Sequence, residues 1–152
     1  MKKFISSLVA IVMVAGATVI ASEIELDGVK CIVASKRPAS ESKAADYKDA
    51  TVYFCCGNCL SKFKKDSKPF AAKANKQLVS TKQYEQKGCP FSGGDINEET
   101  VIDVSGTKVA FCCNGCKGKA EKAEGEKQIE LVFNDKSFKK AFAKKEKKSE
   151  GS

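Results

Sequence analysis

Residues 54–59 read FCCGNC and residues 111–116 read FCCNGC. Six of the eight cysteines in this 152-residue chain stand in these two clusters. Self-comparison places Cys55, Cys56 and Cys59 on Cys112, Cys113 and Cys116 at an offset of 57, and Cys31 on Cys89 at an offset of 58. All eight cysteines therefore fall into two copies of one pattern, C-x23-C-C-x2-C and C-x22-C-C-x2-C. The match extends beyond cysteine, since Val52-Tyr53-Phe54 parallels Val109-Ala110-Phe111 and the stretch from Lys30 to Ser35 parallels Gly88 to Gly93. An internal repeat of this length constrains the fold more than any bulk property, because each copy must close around its own cysteines.

Local pattern gives each copy the same outline. VIDV (101–104), Ser105-Gly106 and KVAF (108–111) predict two strands around a turn. In the first copy the second strand is TVYF (51–54), with a turn near Lys48-Asp49. LSKFKKD (60–66) and KGKAEKAE (117–124) have helical composition, with Leu60 and Phe63 three apart. Each unit thus reads as a cysteine loop, a β-hairpin, and Cys-Cys-x-x-Cys opening a short helix. QLVSTKQYEQ (77–86), QIELVF (128–133) and EIELDGVK (23–30) read as strands that link or flank the units. From Lys136 to Ser152 the chain carries seven lysines and two glutamates, with Phe138 and Phe142 four apart on a short helix before the end.

The N-terminus bears on compartment. Lys2 and Lys3 precede the apolar run LVAIVMVAGATVI (8–20), and Val19 and Ala21 offer small residues at the −3 and −1 positions of a cleavage site. This predicts a signal peptide over 1–21 and a periplasmic or secreted protein. Ser6, Ser7, Gly16 and Thr18 weaken the competing reading as a membrane anchor. No cysteine stands at the cleavage point to accept a lipid. Cleavage would leave 131 residues and lower the formal charge from +8 to +6. The remainder would be divided as a first unit at 22–76, a second at 77–135 and a Lys-rich C-terminal tail at 136–152.

The chain has no histidine, and both methionines, Met1 and Met13, belong to the expected signal. A transition-metal site would therefore rest on thiolates. Backbone N–H groups in a first helical turn stabilise negative charge and lower a thiol pKa. Two sulfurs three or four residues apart at a helix start can converge on one ion, and a loop cysteine supplies a third. A sulfur-only site suits zinc and also copper(I). A metal would also stabilise units with little apolar material. The candidate ligands are Cys31, Cys55, Cys56 and Cys59, then Cys89, Cys112, Cys113 and Cys116.

The residues CPFSGG (89–94), the hairpin and AFCCNGCKGK (110–119) resemble the YHS/TRASH group of small metal-binding domains, and the resemblance runs over nearly the whole expected mature chain as two tandem copies. It implies heavy-metal binding in sensing, trafficking or resistance, on a zinc-ribbon-like or treble-clef-like fold. It also implies that Cys31, Cys55 and Cys59 are the ligands of one site and Cys89, Cys112 and Cys116 those of the other. Cys56 and Cys113 lie outside the family pattern. Related zinc ribbons carry a further cysteine three residues after the first, where this chain has Ala34 and Ser92. Cys56 and Cys113 either replace that ligand or leave a three-coordinate, open site.

Two other functional classes compete. An exported chain with an even cysteine count can oxidise to a disulfide-stapled interaction protein without metal. Cys56-x-x-Cys59 and Cys113-x-x-Cys116 also have the spacing of a thiol–disulfide oxidoreductase, although that chemistry usually sits in a longer βαβ domain. The positive charge is mostly lysine, with Arg37 the only arginine, and is dispersed outside the tail. It fits a solvated surface or an affinity for anionic envelope surfaces better than nucleic-acid binding. Nothing resembles a catalytic triad, a phosphate loop or a paired-carboxylate site, so no enzyme is expected. The expectation is an α+β protein of two tandem units that carries, or is stapled by, zinc or copper.

Overall fold

The computed structural model describes residues 24–146. The expected signal peptide and the last residues of the lysine-rich segment lie outside that range.

The first hairpin pairs β1 (Ser40–Tyr47) with β2 (Ala50–Phe54) in antiparallel register. Lys48 and Asp49 form its two-residue turn with φ of 51° and 58°. Two consecutive left-handed residues give a turn whose twist matches that of the strands it joins. The chain then enters α1 (Gly57–Lys65), followed by a single 3₁₀ turn and α2 (Ala71–Ser80). A short strand, β3 (Tyr84–Gln86), leads to the second hairpin, β4 (Asn97–Asp103) and β5 (Lys108–Phe111). Its turn holds Ser105 at φ 52° and Gly106 at φ 83°, and Asp103 accepts the Gly106 N–H at 2.7 Å. After it come α3 (Asn114–Glu121), α4 (Gly125–Phe133), α5 (Asp135–Ala141) and β6 (Phe142–Lys144).

Both hairpins sit where the sequence places them, and α1 and α3 follow the cysteine clusters as expected. The three predicted linker strands are corrected. Residues 77–80 of QLVSTKQYEQ complete α2, and only Tyr84–Gln86 is extended. QIELVF lies within α4. Of EIELDGVK, the described residues 24–30 form no strand: Gly28 turns at φ 70°, and Lys30 alone bridges to Pro38. The two helical stretches set apolar residues at helical spacing, Ala74 with Leu78 buried on α2 and Val132 and Phe133 buried beside half-buried Ile129 on α4, and the two helices pack on one another. A short apolar run of this kind is the case in which strand and helix look alike in sequence.

α2, α4 and α5 pack on one another, while α1 packs on the first hairpin and α3 on the second. Among the described residues the sheets are three antiparallel pairs, β1–β2, β4–β5 and β3–β6. The last of these joins the segment between the hairpins to the lysine-rich segment, whose Phe138, Ala141 and Phe142 are buried. One continuous apolar core includes Phe54 and Phe63 from the first half and Val104, Phe111, Val132 and Phe133 from the second. Phe133 is fully buried and stacks on Phe142 at 5.4 Å, and Phe142 stacks in turn on Phe138 at 5.3 Å. Asn75, also fully buried, donates to the Phe133 carbonyl at 2.8 Å and to Asp135 at 2.9 Å, tying α2 to the α4–α5 junction. Asn134 caps α5 by accepting the Ser137 N–H at 3.0 Å.

Truncating an aromatic ring at such a position removes its transfer free energy and leaves a cavity. Phe133→Ala is expected to lower unfolding stability in urea by about 3–5 kcal/mol with an unchanged m-value. A loss below about 1 kcal/mol would contradict the packing described.

Candidate metal centre

Cys55 follows β2, Cys56 is the N-cap of α1, and Cys59 lies in the first turn of that helix. Cys112, Cys113 and Cys116 hold the same places after β5 and on α3. The hairpin then returns the strand beside the loop of the first cysteine. In both copies three sulfurs meet: Cys31, Cys55 and Cys59 in one group, Cys89, Cys112 and Cys116 in the other, all within 4.8 Å of one another.

The spacing fits a metal ion. The edge of a tetrahedron of sulfurs around zinc, at about 2.3 Å per Zn–S bond, is about 3.8 Å. The Cys55–Cys59 and Cys112–Cys116 sulfurs are each 3.6 Å apart. A disulfide needs about 2.05 Å, and all eight cysteines are free. The remaining two, Cys56 and Cys113, stand outside the triads, each 3.8 Å from the sulfur of the preceding cysteine. Cys113 is exposed and Cys56 half-buried, whereas Cys31 and Cys89 are buried at 2% and 0%.

Two loops present the first cysteines. In the second copy, Cys89 N–H donates to Gly94 C=O at 2.8 Å and Gly93 N–H to Cys89 C=O at 2.7 Å. A Cβ on Gly88 would stand 3.0 Å from the Gly93 carbonyl oxygen, so only glycine fits there without moving backbone. In the first copy the loop is wider. Cys31 N–H donates to Arg37 C=O at 2.9 Å, and Arg37 N–H to Ala34 C=O at 2.8 Å. The position where related zinc ribbons would place a fourth sulfur differs between copies. Ala34 offers its N–H to the Cys31 sulfur at 3.4 Å, while the Ser92 hydroxyl donates to the Cys112 sulfur at 3.3 Å.

The electrostatics divide each group. Burial raises the Cys31 thiol, but the N–H groups of Ala34, Cys55 and Val33 outweigh it and the net shift is downward. Burial likewise works against Cys89, yet the Ser92 N–H and hydroxyl, with the Cys112 and Phe91 N–H groups, bring it down to about 6. Cys59 and Cys116 are pushed up to about 12, by burial first and then by the neighbouring thiols. Burial and the Cys31 thiol raise Cys55. Cys56 makes no capping hydrogen bond. Even so, the Cys59 N–H at the start of α1, followed by the Cys59 and Cys55 thiols, draws it down to about 7. Cys113 is lowered by the equivalent groups. In each triad the loop cysteine is thus shifted toward the thiolate while the helix cysteine is shifted away from it, and a cation that binds the helix cysteine as thiolate must displace its proton.

What sequence reasoning missed is a set of glutamines. Gln77 accepts the Tyr53 N–H at 2.7 Å and donates to the carbonyls of Tyr53 at 2.9 Å and Lys30 at 3.0 Å. Gln86 accepts the Ala110 N–H at 2.9 Å and donates to the carbonyls of Ala110 at 2.6 Å and Gly88 at 2.9 Å. Gln83 accepts the Thr51 N–H at 2.8 Å and donates to its carbonyl at 2.6 Å. These amides replace a third strand along the open edges of β2 and β5. The only signal in the sequence is three glutamines within QLVSTKQYEQ.

No protein-family profile, curated protein or solved structure matches the chain. Among the described residues, no helix is long and apolar enough to cross a membrane.

The thiol shifts make a direct prediction for the metal-free, reduced chain. Alkylation of Cys56 by iodoacetamide should rise through a midpoint near pH 7, since the thiolate is the reactive form. Cys59 should stay unreactive until the pH approaches about 12. Peptide mapping by mass spectrometry after timed labelling checks the order, and faster labelling of Cys59 at neutral pH would contradict it.

Proposed function

We propose that this chain is an exported protein that carries or buffers a thiophilic metal, zinc or copper(I), with one ion in each cysteine group. The observation behind this reading is the convergence of three sulfurs in both copies at metal-ligand spacing. Thiolate donors with no histidine favour soft and borderline ions over magnesium or calcium. The loop, hairpin and helix that deliver each triad follow the order that the YHS/TRASH resemblance implies. That order supports treating the chain as two tandem zinc-ribbon-like units. Export rests on the charged and apolar N-terminal pattern, and in an oxidising compartment a bound ion would protect the thiolates.

Two features favour cargo over a structural staple. Structural zinc sites are closed by four protein ligands, whereas three leave a position open. Cys56 and Cys113 lie beside their triads on the solvent side, placed to complete the shell and to release it during transfer to a partner. The second feature is the core, which runs through both halves and does not consist of the cysteines alone. Zinc-dependent miniature folds lack such a core and unfold without their ion. A disulfide oxidoreductase would draw on the low Cys56 pKa, but the described sheets are antiparallel pairs without the parallel strands of a βαβ domain.

Titration of the reduced full chain with Zn²⁺ or Cu(I) against a competing chromophoric chelator tests the reading. The expected uptake is two equivalents, falling to one in Cys31→Ser and one in Cys89→Ser. The chelator-stripped protein should keep its far-ultraviolet circular dichroism. No uptake by a chain with eight titratable thiols, or two equivalents in both variants, would overturn it.

A further inference from the structure

The two triads share a support that the cysteine repeat itself does not contain. The carboxamide of Gln77 binds Lys30 C=O, one residue before Cys31, and both backbone groups of Tyr53, two residues before Cys55. The carboxamide of Gln86 binds Gly88 C=O, one residue before Cys89, and both backbone groups of Ala110, two residues before Cys112. In each case a single side chain uses one acceptor and two donors to join the loop of the first cysteine to the strand leading to the others. Gln77 is 3% exposed, so none of its bonds is readily replaced by water.

The two glutamines are not copies of each other. Gln77 belongs to α2, which follows its hairpin, while Gln86 belongs to β3, which precedes its own. The offset of 57 that aligns the cysteine clusters carries Gln77 onto Asn134, which caps α5 instead. The same clamp therefore arises from two different elements and reaches the same backbone atoms. That coincidence follows from a shared need: a first cysteine more than 20 residues from the other two must be held beside them before an ion arrives.

We infer that Gln77 and Gln86 are the positioning residues of the two cysteine groups, each fixing the first cysteine's loop against the strand that delivers the rest. The inference rests on the metal-binding reading for its effect on affinity, though not for its effect on the thiols themselves. Outer-shell hydrogen bonds that orient ligands typically contribute 10–100-fold to metal affinity. Gln83 provides an internal control, because it grips Thr51 on the same strand edge with two hydrogen bonds and makes none to the Cys31 loop.

The test compares Gln77→Met, Gln83→Met and Gln86→Met in the full chain, with folding of each checked by circular dichroism. Zn²⁺ affinity at each group is read by chelator competition, using Cys89→Ser or Cys31→Ser backgrounds to isolate one group at a time. Gln77→Met should weaken the Cys31 group by about 10–100-fold and leave the Cys89 group unchanged, with Gln86→Met doing the reverse. Gln83→Met should lower thermal stability without changing either affinity. A second arm uses the metal-free chain and the oxidant diamide, which takes two electrons and two protons from a thiol pair as a disulfide forms. Mapping the Cys31–Cys55 and Cys31–Cys59 disulfides should show slower closure in Gln77→Met than in Gln83→Met. Equal effects of Gln77→Met and Gln83→Met in the diamide arm would overturn the inference, as would unchanged affinity in Gln77→Met. If the parent chain takes up no Zn²⁺, the metal-binding reading fails while the diamide arm still decides the role of Gln77.

Discussion

Three sulfurs converge only because a hairpin brings the chain back to its own starting loop. Cys31 and Cys55 are 24 residues apart, Cys89 and Cys112 are 23 apart, and nothing local to any cysteine joins them. The two-residue turns at Lys48-Asp49 and Ser105-Gly106 reverse the chain, and the strands return it beside the loop. The last cysteine of each cluster then comes within reach by one helical turn. This closure leaves a cost, since a two-stranded hairpin has outer edges with unpaired N–H and C=O groups. Buried backbone groups of that kind need partners. Glutamine amides from α2 and β3 supply them, so the support of the sulfurs and the satisfaction of the strand edges are the same contacts.

The two copies solve one packing problem with different residues. Phe63 of α1 packs against Phe54 at 5.2 Å, but its counterpart on α3 is Ala120. The missing ring is supplied from the loop, where Phe91 stands in place of Val33 and meets Phe111 at 5.5 Å. An aromatic has moved from helix to loop while the volume beside the strand stays filled, as close packing requires. The sulfur groups differ in a related way. A hydroxyl from Ser92 reaches Cys112, whereas Ala34 offers only backbone to Cys31. The first group is the more buried, with Cys59 9% exposed and Cys116 half-buried. The two sites are thus alike in donor set and unequal in solvent access.

Features governed by short-range pattern were legible in the sequence. The hairpins follow from alternation around turn residues, and the grouping of the cysteines follows from an offset that repeats. The helical α2 and α4 were not legible, because QLVS and QIELVF carry the same apolar density as a strand. Only their packing on one another selects the helix. EIELDGVK alternates like a strand, but its described residues 24–30 pair with no neighbour beyond a single bridge at Lys30. Their spacing of four predicts Phe138 and Phe142 on one helical stripe. In the fold the first lies on α5, while the second opens β6, which pairs with β3. The glutamines were invisible for a different reason. A side-chain amide that stands in for a strand leaves no periodicity, and the strand residues it grips lie 24 to 32 residues away.

Native mass spectrometry of the protein taken from its own compartment tests most directly for two ions held among free thiolates. Intact mass reports bound metal, and each disulfide lowers it by two hydrogens, so both are read in one spectrum. The expected spectrum shows two zinc or copper ions per chain and the mass of a fully reduced polypeptide. A metal-free chain lighter by the hydrogens of three or four disulfides would contradict it.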